Sequence, residues 1–415
     1  MELKLRIAVC GCGPAGLAAA LLLHRAGHEV QLLEQFETPQ PVGSGLLLQP
    51  TGLGVLAELG LIEPLARLGA PIDRILGRVA PSQRLVLDVR YAALGEGWRA
   101  LAIHRAALFG TLHDAVVAAG IEITYGCQLV RADITSNEAS LICADGRRHG
   151  GFDLVVDAAG SHSPLAVGIA RRTALPYGAL WVNVPWPERW PGEPNALEQR
   201  YKQASRMAGV LPVGHRAPGE PRLCALFWSL RRDQVNAWRA AGLSAWKDNV
   251  AQLWPDAAML LDPVTDLDQV TFAQYDHFTA HTPASDRIVH IGDAGRSTSP
   301  QLGQGANMAL LDAFALAQAL ARTPETKGSL PDALNAYVRM RYWHIRTFQW
   351  ASAMFTPFYQ SDGYWLAFLR DWLAAPISRL PAGQHILARL VSGMTVAPLA
   401  GGLFQPFRMG PPPLR

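Results

Sequence analysis

The stretch Gly11-Cys12-Gly13-Pro14-Ala15-Gly16 decides the fold. Residues 5–10 before it form an apolar run of strand type, and the pattern from Ala15 to Arg25 is helical. Gly11 permits a tight turn, Gly13 lets the backbone approach a pyrophosphate, and Gly16 lets the helix pack closely on the strand. The helix N-terminus offers free N–H groups and a partial positive charge to phosphates. The sequence therefore predicts a nucleotide-binding turn made by Gly11, Gly13, Pro14, Ala15 and Gly16.

A carboxylate follows where such a fold needs one. The second strand-like run, Glu29-Val30-Gln31-Leu32-Leu33-Glu34, ends about 20 residues beyond the glycines. An acid at this place accepts hydrogen bonds from ribose hydroxyls, so Glu34, followed by Gln35, predicts an unphosphorylated adenosine ribose. Residues 17–23 are apolar like a secretory signal, but interior glycines and the lack of a small-residue cleavage site argue against one. We therefore expect the protein in the cytoplasm.

Composition favours an enzyme with a large core. The chain has 415 residues, of which 49% are hydrophobic and 17% charged, and its formal charge is +3. That charge is too small to indicate a nucleic-acid partner, and no apolar run reaches the roughly 18 residues of a membrane span. The five cysteines are scattered and odd in number, and Cys10 and Cys12 are not at metal-ligand spacing. This pattern predicts reduced thiols and no metal site.

The order of strand-like and helical runs predicts an α/β chain with three regions. Residues 1–75, 100–175 and 280–335 alternate strand and helix and form a discontinuous Rossmann-like domain of the glutathione-reductase type. Residues 76–99 and 176–279 are mainly strand-like and predict an inserted substrate domain on a mainly antiparallel sheet. Residues 336–415 form an aromatic-rich helical region, ending in a loose tail at Pro411-Pro412-Pro413. Its helical spacing favours core packing, with a lid or a membrane-facing patch as alternatives.

A second glycine loop lies far downstream. Asp293 follows an apolar strand, where its carboxylate can accept hydrogen bonds from a ribityl chain. The segment Gly303-Gln304-Gly305 approaches a helix N-terminus, which would present N–H donors to a flavin edge that becomes anionic on reduction. From the residues alone, an ordinary turn with a capping aspartate explains this loop equally well. Together the two glycine loops suit the two ends of FAD.

Gly292-Asp293-Ala294-Gly295-Arg296, followed by Ser299-Pro300-Gln301-Leu302-Gly303-Gln304-Gly305-Ala306-Asn307, resembles the second FAD motif of the single-component flavoprotein aromatic hydroxylases, which have the para-hydroxybenzoate hydroxylase fold. Val42-Gly43-Ser44-Gly45-Leu46 and His104-Arg105-Ala106-Ala107-Leu108 match as well, so the likeness runs from Arg6 to about Tyr342. It implies that non-covalently bound FAD also contacts the following residues: Gly45, Arg105, Asp293, Pro300, Gly303, Gly305, Ala306 and Asn307. Of these, Pro300, Gly303 and Gly305 would line the reacting edge of the flavin.

Two departures from the family pattern stand out. The family usually has Gly-Asp-Ala-Ala-His where this chain has Arg296 in place of the histidine. Its Asp-Gly motif appears here as Asp157-Ala158-Ala159-Gly160, with Ala159 at the position of an aspartate associated with nicotinamide use and FAD binding. Asp157 is a candidate to compensate.

The resemblance implies a monooxygenase in which NAD(P)H reduces FAD, O₂ adds at flavin C4a, and the hydroperoxide hydroxylates an aromatic ring. NAD(P)H would dock transiently, since the chain has no second nucleotide motif. The aromatic-rich composition points to an apolar, bicyclic or alkylated aromatic or heteroaromatic substrate. Candidate pocket residues are Trp181, Asn183, Tyr201, Met207, Leu226 and Trp228, although alternation along a strand sends about half of such residues to the other face. Candidate bases are Tyr201, His215 and His277.

Other functions stay open on the sequence. A flavin-dependent halogenase shares the fold, but Trp181-Val182-Asn183-Val184-Pro185-Trp186 does not match its Trp-x-Trp-x-Ile-Pro motif. An FAD-dependent epoxidase or reductase of a lipid-like substrate is an alternative, because the aromatic C-terminal region could meet a membrane. A non-catalytic FAD-binding protein is another, given Ala159. We expect a monomer or a homodimer.

Overall fold

The structure is a computed structural model that describes residues 4–38, 43–169, 172–323, 329–402 and 404–410. Val42 and the predicted tail at Pro411-Pro412-Pro413 lie outside these residues. The strands of the described part are β1 Arg6–Cys10, β2 Glu29–Leu33, β3 Gly45–Leu48, β4 Ala70–Ile72, β5 Arg74–Val79, β6 Arg84–Arg90, β7 Ala100–His104, β8 Glu122–Thr124, β9 Leu129–Ile134, β10 Ala139–Cys143, β11 Arg148–Phe152, β12 Leu154–Asp157, β13 Thr173–Ala174, β14 Tyr177–Pro185, β15 Ala196–Lys202, β16 Arg206–His215, β17 Arg222–Arg231, β18 Thr271–Ala273, β19 Asp276–Thr279, β20 Ala284–Ser285, β21 Ile288–His290 and β22 Arg296–Ser297.

Helices fill the connections and the C-terminal region. They are α1 Pro14–Arg25, α2 Pro50–Glu58, α3 Ile62–Leu68, α4 Arg105–Ala118, α5 Val235–Leu253, α6 Gly305–Ala321, α7 Leu330–Tyr359, α8 Tyr364–Leu369, α9 Ala375–Ser378 and α10 Pro381–Val391. A π-helical turn, Arg370–Ala374, joins α8 to α9. Gly242 interrupts α5 with a positive φ of 84°, and so divides it into two helical segments.

Two large sheets organise the chain. The first has the order β20-β21-β12-β1-β2-β8, and all of its pairs except β20·β21 are parallel. The second has the order β18-β14-β17-β16-β15-β5-β6 and is antiparallel except at β15·β5. The remaining sheets are β11-β10-β9, β13-β19-β22 and β3-β7-β4. The predicted α/β fold class, with a mainly antiparallel second sheet and C-terminal helices, is confirmed.

The first sheet draws strands from distant parts of the sequence. Strand β21 pairs with β12 and places Val289 beside Val156, so the chain returns to the first sheet after building the second. Helices α1 and α6 pack against each other beside it, and their side chains share one core with β1 and β12. The returning segment therefore brings the second glycine loop to the same sheet as the first. The predicted domain boundaries themselves stay a prediction.

The prediction of five reduced thiols is wrong for two of them. Cys127 and Cys143 form a disulfide, whereas Cys10, Cys12 and Cys224 are free and buried. The bridge links the loop before β9 to the end of β10, and its two residues are 1% and 2% exposed. Cysteine spacing carried no signal for this pair, because the two residues meet only when β9 and β10 fold together.

The prediction that the C-terminal aromatic residues pack in the core is correct for only some of them. Phe348 and Phe404 are buried, but seven of the thirteen aromatic residues between Tyr342 and Phe407 are exposed, namely Tyr342, Trp343, Trp350, Tyr364, Trp365, Phe368 and Trp372. Helical spacing predicts an apolar stripe, and a stripe on the outer side of a helix has the same spacing as one on the inner side.

Thiol labelling tests the disulfide. Alkylation of the denatured, unreduced protein should label only Cys10, Cys12 and Cys224, and prior reduction should add Cys127 and Cys143. Because the bridge closes a loop across 16 residues, reduction should lower the free energy of unfolding by about 3 kcal/mol. Mass spectrometry counts the labels, and thermal unfolding with and without reductant measures stability. A Cys127→Ala/Cys143→Ala variant is the control, since reductant should leave its melting temperature unchanged. Labelling of all five cysteines without reductant would contradict the disulfide.

Candidate active site at the two glycine loops

The first glycine turn has the geometry of a phosphate cradle. Gly11 has a φ of +99°, which favours glycine. A Cβ on Gly16 would lie 1.9 Å from the Gly11 carbonyl oxygen, so Gly16 allows α1 to pack on the turn. A Cβ on Gly13 would meet no atom of the described residues within 4 Å. Since Gly13 precedes Pro14, the first residue of α1, this open space adjoins the helix N-terminus.

Glu34 lies beside this turn at the end of β2. Its Oε2 accepts a hydrogen bond from the Cys12 backbone N–H at 2.7 Å, and its Oε1 accepts one from the Phe36 N–H at 3.1 Å. The residue is 8% exposed, whereas Gln35 is exposed. A carboxylate oxygen has two lone pairs, so each oxygen of Glu34 can accept a further bond. The carboxylate thus fixes the turn and still suits a ribose hydroxyl.

Arg105 and Asp293 lie near enough to each other for their charges to interact. Arg105 begins α4, and Gly43, at a φ of +111°, leaves room for its side chain, because a Cβ there would lie 2.7 Å from Arg105 Cδ. Asp293 is accessible to solvent, yet protein atoms surround it closely enough that burial raises the pKa of its carboxyl group. Arg105 and Arg296 oppose this increase through their charges. Because Asp293 combines access to solvent with close protein atoms, we infer that it lies in a cleft open to solvent.

The second glycine loop closes one wall of this cleft. Pro300–Leu302 forms a turn that ends at Gly303, whose φ of 60° and ψ of 29° are left-handed, and α6 begins at Gly305. A Cβ on Gly305 would meet no atom of the described residues within 4 Å, and one on Gly303 would lie 3.8 Å from Gln49 Nε2. That Nε2 is buried and has no hydrogen-bond partner within the described residues. Ala306 is half-buried at the same helix start.

Two predicted cofactor residues, Asn307 and Gly45, have close contacts with protein. Asn307 is fully buried, accepts a bond from the Gln49 N–H at 2.8 Å, and donates to Leu47 O and Gly303 O at 3.0 Å each. It therefore holds the loop rather than lining the cleft with its side chain. A Cβ on Gly45 would lie 2.1 Å from Val213 Cγ1, so this glycine permits β3 to pack on β16.

Asp157, the candidate to compensate for Ala159, is held by contacts within the protein. Its carboxylate is fully buried, accepts from the Ala159 N–H at 3.1 Å and the Ser163 hydroxyl at 2.7 Å, and lies 2.7 Å from His290 Nδ1. These contacts fix the turn after β12. Ala159 itself is exposed.

The predicted pocket residues divide between the two faces of the seven-stranded sheet. Trp181, Met207 and Tyr201 contact one cluster around Phe227, and the Trp181 and Phe227 ring centroids are 4.8 Å apart. Asn183 lies on the Trp181 face, because alternate residues of β14 share a face, and its Oδ1 accepts from the Ser44 hydroxyl at 2.6 Å. Leu226 and Trp228 lie on the opposite face, in the cluster that includes Trp238 and Trp246 of α5. We therefore omit those two from the pocket.

The three candidate bases lie in different protein environments. Tyr201 is fully buried, its hydroxyl donates to Gln199 Oε1, and burial raises its pKa well above the ordinary value. His215 Nδ1 lies 2.6 Å from Glu220 O in the β16–β17 hairpin. Burial lowers the pKa of His277, which makes it neutral at physiological pH.

Tyr275 is a site residue that the sequence did not indicate. Its hydroxyl accepts a bond from Trp181 Nε1 at 3.0 Å, burial raises its pKa, and the charge of Arg105 lowers it. Tyr275 thus links the Trp181 side of the sheet to the cleft of Arg105 and Asp293. It lies between β18 and β19, where neither periodicity nor a motif marks it.

The cleft residues define a dinucleotide-binding protein, and residues 4–348 match a family model described as an FAD binding domain, so the chain belongs to this family. A relative, 3-amino-4-hydroxybenzoate 2-monooxygenase of Streptomyces cremeus, is 29% identical over 365 residues, which cover 82% of this chain and 84% of the relative. The structure of Klebsiella pneumoniae HpxO complexed with FAD and uric acid is similar, with a TM-score of 0.76 at 19% identity, and covers 93% of this chain and 97% of that one. The structure of 2-methyl-3-hydroxypyridine-5-carboxylic acid oxygenase has a TM-score of 0.74 at 21% identity, with coverages of 93% and 96%.

These findings confirm the predicted family, and the protein is an FAD-dependent monooxygenase. The residues present fit FAD: Gly13 leaves room for a pyrophosphate, and Asp293 offers a deep but accessible carboxylate.

Alanine substitutions at Gly13 and Gly16 should separate an effect on FAD binding from an effect on folding. Gly13→Ala should change the stability of the FAD-free protein by less than about 0.5 kcal/mol, because its Cβ meets no described atom within 4 Å. It should weaken FAD binding at least about tenfold, because the backbone must approach the pyrophosphate there. Gly16→Ala should cost about 1–3 kcal/mol of stability, because of the 1.9 Å contact with Gly11 O. Denaturant unfolding and flavin-fluorescence titration measure the two effects. Unchanged FAD affinity in Gly13→Ala would contradict the proposed cradle.

The raised pKa of Asp293 gives FAD binding a pH dependence. Hydroxyl donors favour the ionised carboxylate, so FAD should lower this pKa and release a proton. FAD affinity should therefore rise with pH above the ordinary aspartate value of about 4 and level off once the free carboxyl is ionised. As pH rises over the same window, the FAD-free protein should lose stability, because its folded state still binds a proton at Asp293 that the unfolded state has already released. Titration calorimetry of the wild type and Asp293→Asn tests this, since the variant should bind FAD weakly and without the pH dependence.

Asp293→Ala should lose FAD sharply, and purification of that variant with full, tightly bound flavin would contradict the assignment.

Proposed function

We propose that this protein hydroxylates an electron-rich aromatic or heteroaromatic small molecule, with NAD(P)H as a transient reductant. The observation that carries the proposal is the cleft itself. Arg105, Asp293 and the Pro300–Gly305 loop border it, and the Trp181 side of the β-sheet adjoins it through Tyr275. The names of the similar proteins mention an aminohydroxybenzoate, uric acid and a hydroxypyridine carboxylic acid, which all carry electron-rich rings. FAD supplies the activation of O₂ once NAD(P)H has reduced it.

The protein's own residues have three tasks in this proposal. The two glycine loops hold the cofactor through backbone N–H groups, while Glu34, Arg105 and Asp293 fix its ribose, phosphate and ribityl groups. Trp181 and Met207 offer an apolar wall that positions the ring and excludes water. The Tyr275 hydroxyl, which already accepts from Trp181 Nε1, keeps its own proton to donate to a polar group of the substrate.

We further propose that the protein acts in the cytoplasm, where NAD(P)H is available, and that the domain boundaries follow the sequence-predicted division. Burial of Cys127 and Cys143 shields their disulfide from soluble reductants, so the bridge is compatible with this location.

Anaerobic flavin reduction is the direct test. NADH and NADPH are mixed separately with the purified holoenzyme, with and without a panel of phenolic and heteroaromatic compounds, and flavin absorbance is followed. Reduction that one compound accelerates, followed by a product one oxygen heavier after O₂ is admitted, is the expected result. Tyr275→Phe should raise KM for that compound by about tenfold, since one hydrogen bond is lost, while FAD affinity stays unchanged. A flavin that neither nucleotide reduces would refute the proposal and favour a partner reductase or a non-catalytic role.

A further inference from the structure

The C-terminal region presents a continuous aromatic surface to solvent. Tyr364, Trp365, Phe368 and Trp372 follow one another along α8 and the π-helical turn, with ring centroids 6.0, 6.0 and 6.2 Å apart. Their exposed fractions are 63%, 72%, 43% and 61%. We call these four residues the aromatic ledge. Soluble proteins rarely expose adjacent large apolar side chains, so the ledge marks an interaction surface.

Aliphatic side chains lengthen the ledge along the same stretch of chain. Leu369, Ile377, Leu380 and Ile386 are 42%, 55%, 58% and 63% exposed. They belong to α8, α9, the α9–α10 connection and α10, and α9 and α10 pack against the edge strand β6. The inner sides of α9 and α10 are thus occupied, and these aliphatic residues are open to solvent.

The charges around the ledge are predominantly positive. Between residues 362 and 391 the sequence has Arg370, Arg379 and Arg389 and two acids, Asp362 and Asp371, with no lysine or glutamate. Asp362 binds Arg231, and Arg370 is buried. Asp371 is already neutralised, because it binds Arg370 at 2.7 Å and lies 3.7 Å from Arg84. The Arg84 guanidinium also lies 4.0 Å from the centroid of the Trp372 ring. Arg379 and Arg389 are exposed.

We propose that the aromatic ledge docks on the interface of an anionic lipid bilayer. Tryptophan and tyrosine rings favour the headgroup level of a membrane, and nearby arginines favour anionic lipid. In the described part of the chain no helix is long and apolar enough to span a membrane, so the contact lies in the plane of the interface.

A second copy of the chain is the competing occupant, and charge argues against it. In a two-fold dimer each ledge would face the other ledge, which would bring the arginines of one copy toward those of the other. Like charges across an interface oppose association, whereas an anionic surface is complementary to all of them. An anionic lipid surface therefore suits the aromatic ledge better than the aromatic ledge of a second copy of the chain does.

Vesicle sedimentation of the full-length, FAD-loaded protein tests this docking. The protein is mixed with phosphatidylcholine vesicles that contain or lack phosphatidylglycerol, at low and high salt. Wild type should partition at least about tenfold more strongly to the anionic vesicles, since each arginine near such a surface contributes about fivefold. High salt should reduce this preference. Trp365→Ser/Trp372→Ser should lower partitioning to anionic vesicles about tenfold, because two interfacial anchors are lost.

Matched controls separate docking from folding and from general hydrophobicity. Val117→Ser/Val167→Ser removes apolar residues that are 57% and 80% exposed outside the C-terminal region, and should bind vesicles like wild type. Absorbance confirms that every variant carries FAD, and analytical ultracentrifugation reports its mass. Equal partitioning of wild type and the tryptophan variant, or no binding to anionic vesicles, would overturn the proposal. So would a wild-type dimer that the tryptophan variant converts to monomers, because the ledge would then be an interface between copies. Each of these outcomes is independent of flavin reduction and hence of the proposed monooxygenase reaction.

Discussion

The second glycine loop depends on one buried carboxylate, Asp312 of α6. It accepts the Gly292 N–H at 3.0 Å and Arg341 Nε at 2.9 Å, and it binds Arg296, so a loop, a helix and the C-terminal region meet at one anion. Asp312 and Arg341 are fully buried. Removal of this charge would leave two buried cations without this anionic partner, which typically costs about 3–5 kcal/mol. The position of Asp293, one residue after Gly292, therefore depends on α7 as much as on its own strand.

What the sequence predicted well was local. The turn at Gly11 and Gly16 follows from strand, glycine and helix in succession, and the structure explains Gly11 by its positive φ and Gly16 by a close contact. The sequence could not predict Tyr275, since its contact with Trp181 joins residues 94 apart through the pairing of β14 with β18. Nor could it predict the role of Asp312 in an apolar helix, because its ion pair with Arg341 forms only when α7 packs against α6.

The sequence gives the spacing of apolar side chains but not the side of the strand or helix that faces the core, and this explains the other differences between prediction and structure. Along β14 and β17 the sequence correctly predicts that side chains alternate between the two faces of the sheet. It does not say which face borders the pocket, so it cannot distinguish Trp181 from Trp228, which pack on opposite faces. The aromatic helices present the same difficulty. Trp365 has the spacing of a core residue and is 72% exposed. Periodicity identifies a stripe, whereas only the surroundings decide whether it faces the core or the solvent.

Arg296 illustrates how a departure from a family pattern changes a site. Where similar sequences usually have a histidine, this chain places a permanent cation, and Arg296 and Arg341 together carry one more positive charge than Asp312 can neutralise. Burial and the charge of Arg341 lower the pKa of His344 to about 2, so this neighbour stays neutral and adds no further charge. At Asp293 the charges of Arg105 and Arg296 favour the ionised carboxylate, whereas burial and the charge of Asp312 oppose it. Arg296 therefore counteracts part of the effect of burial on the pKa of Asp293, and a neutral histidine could not do so.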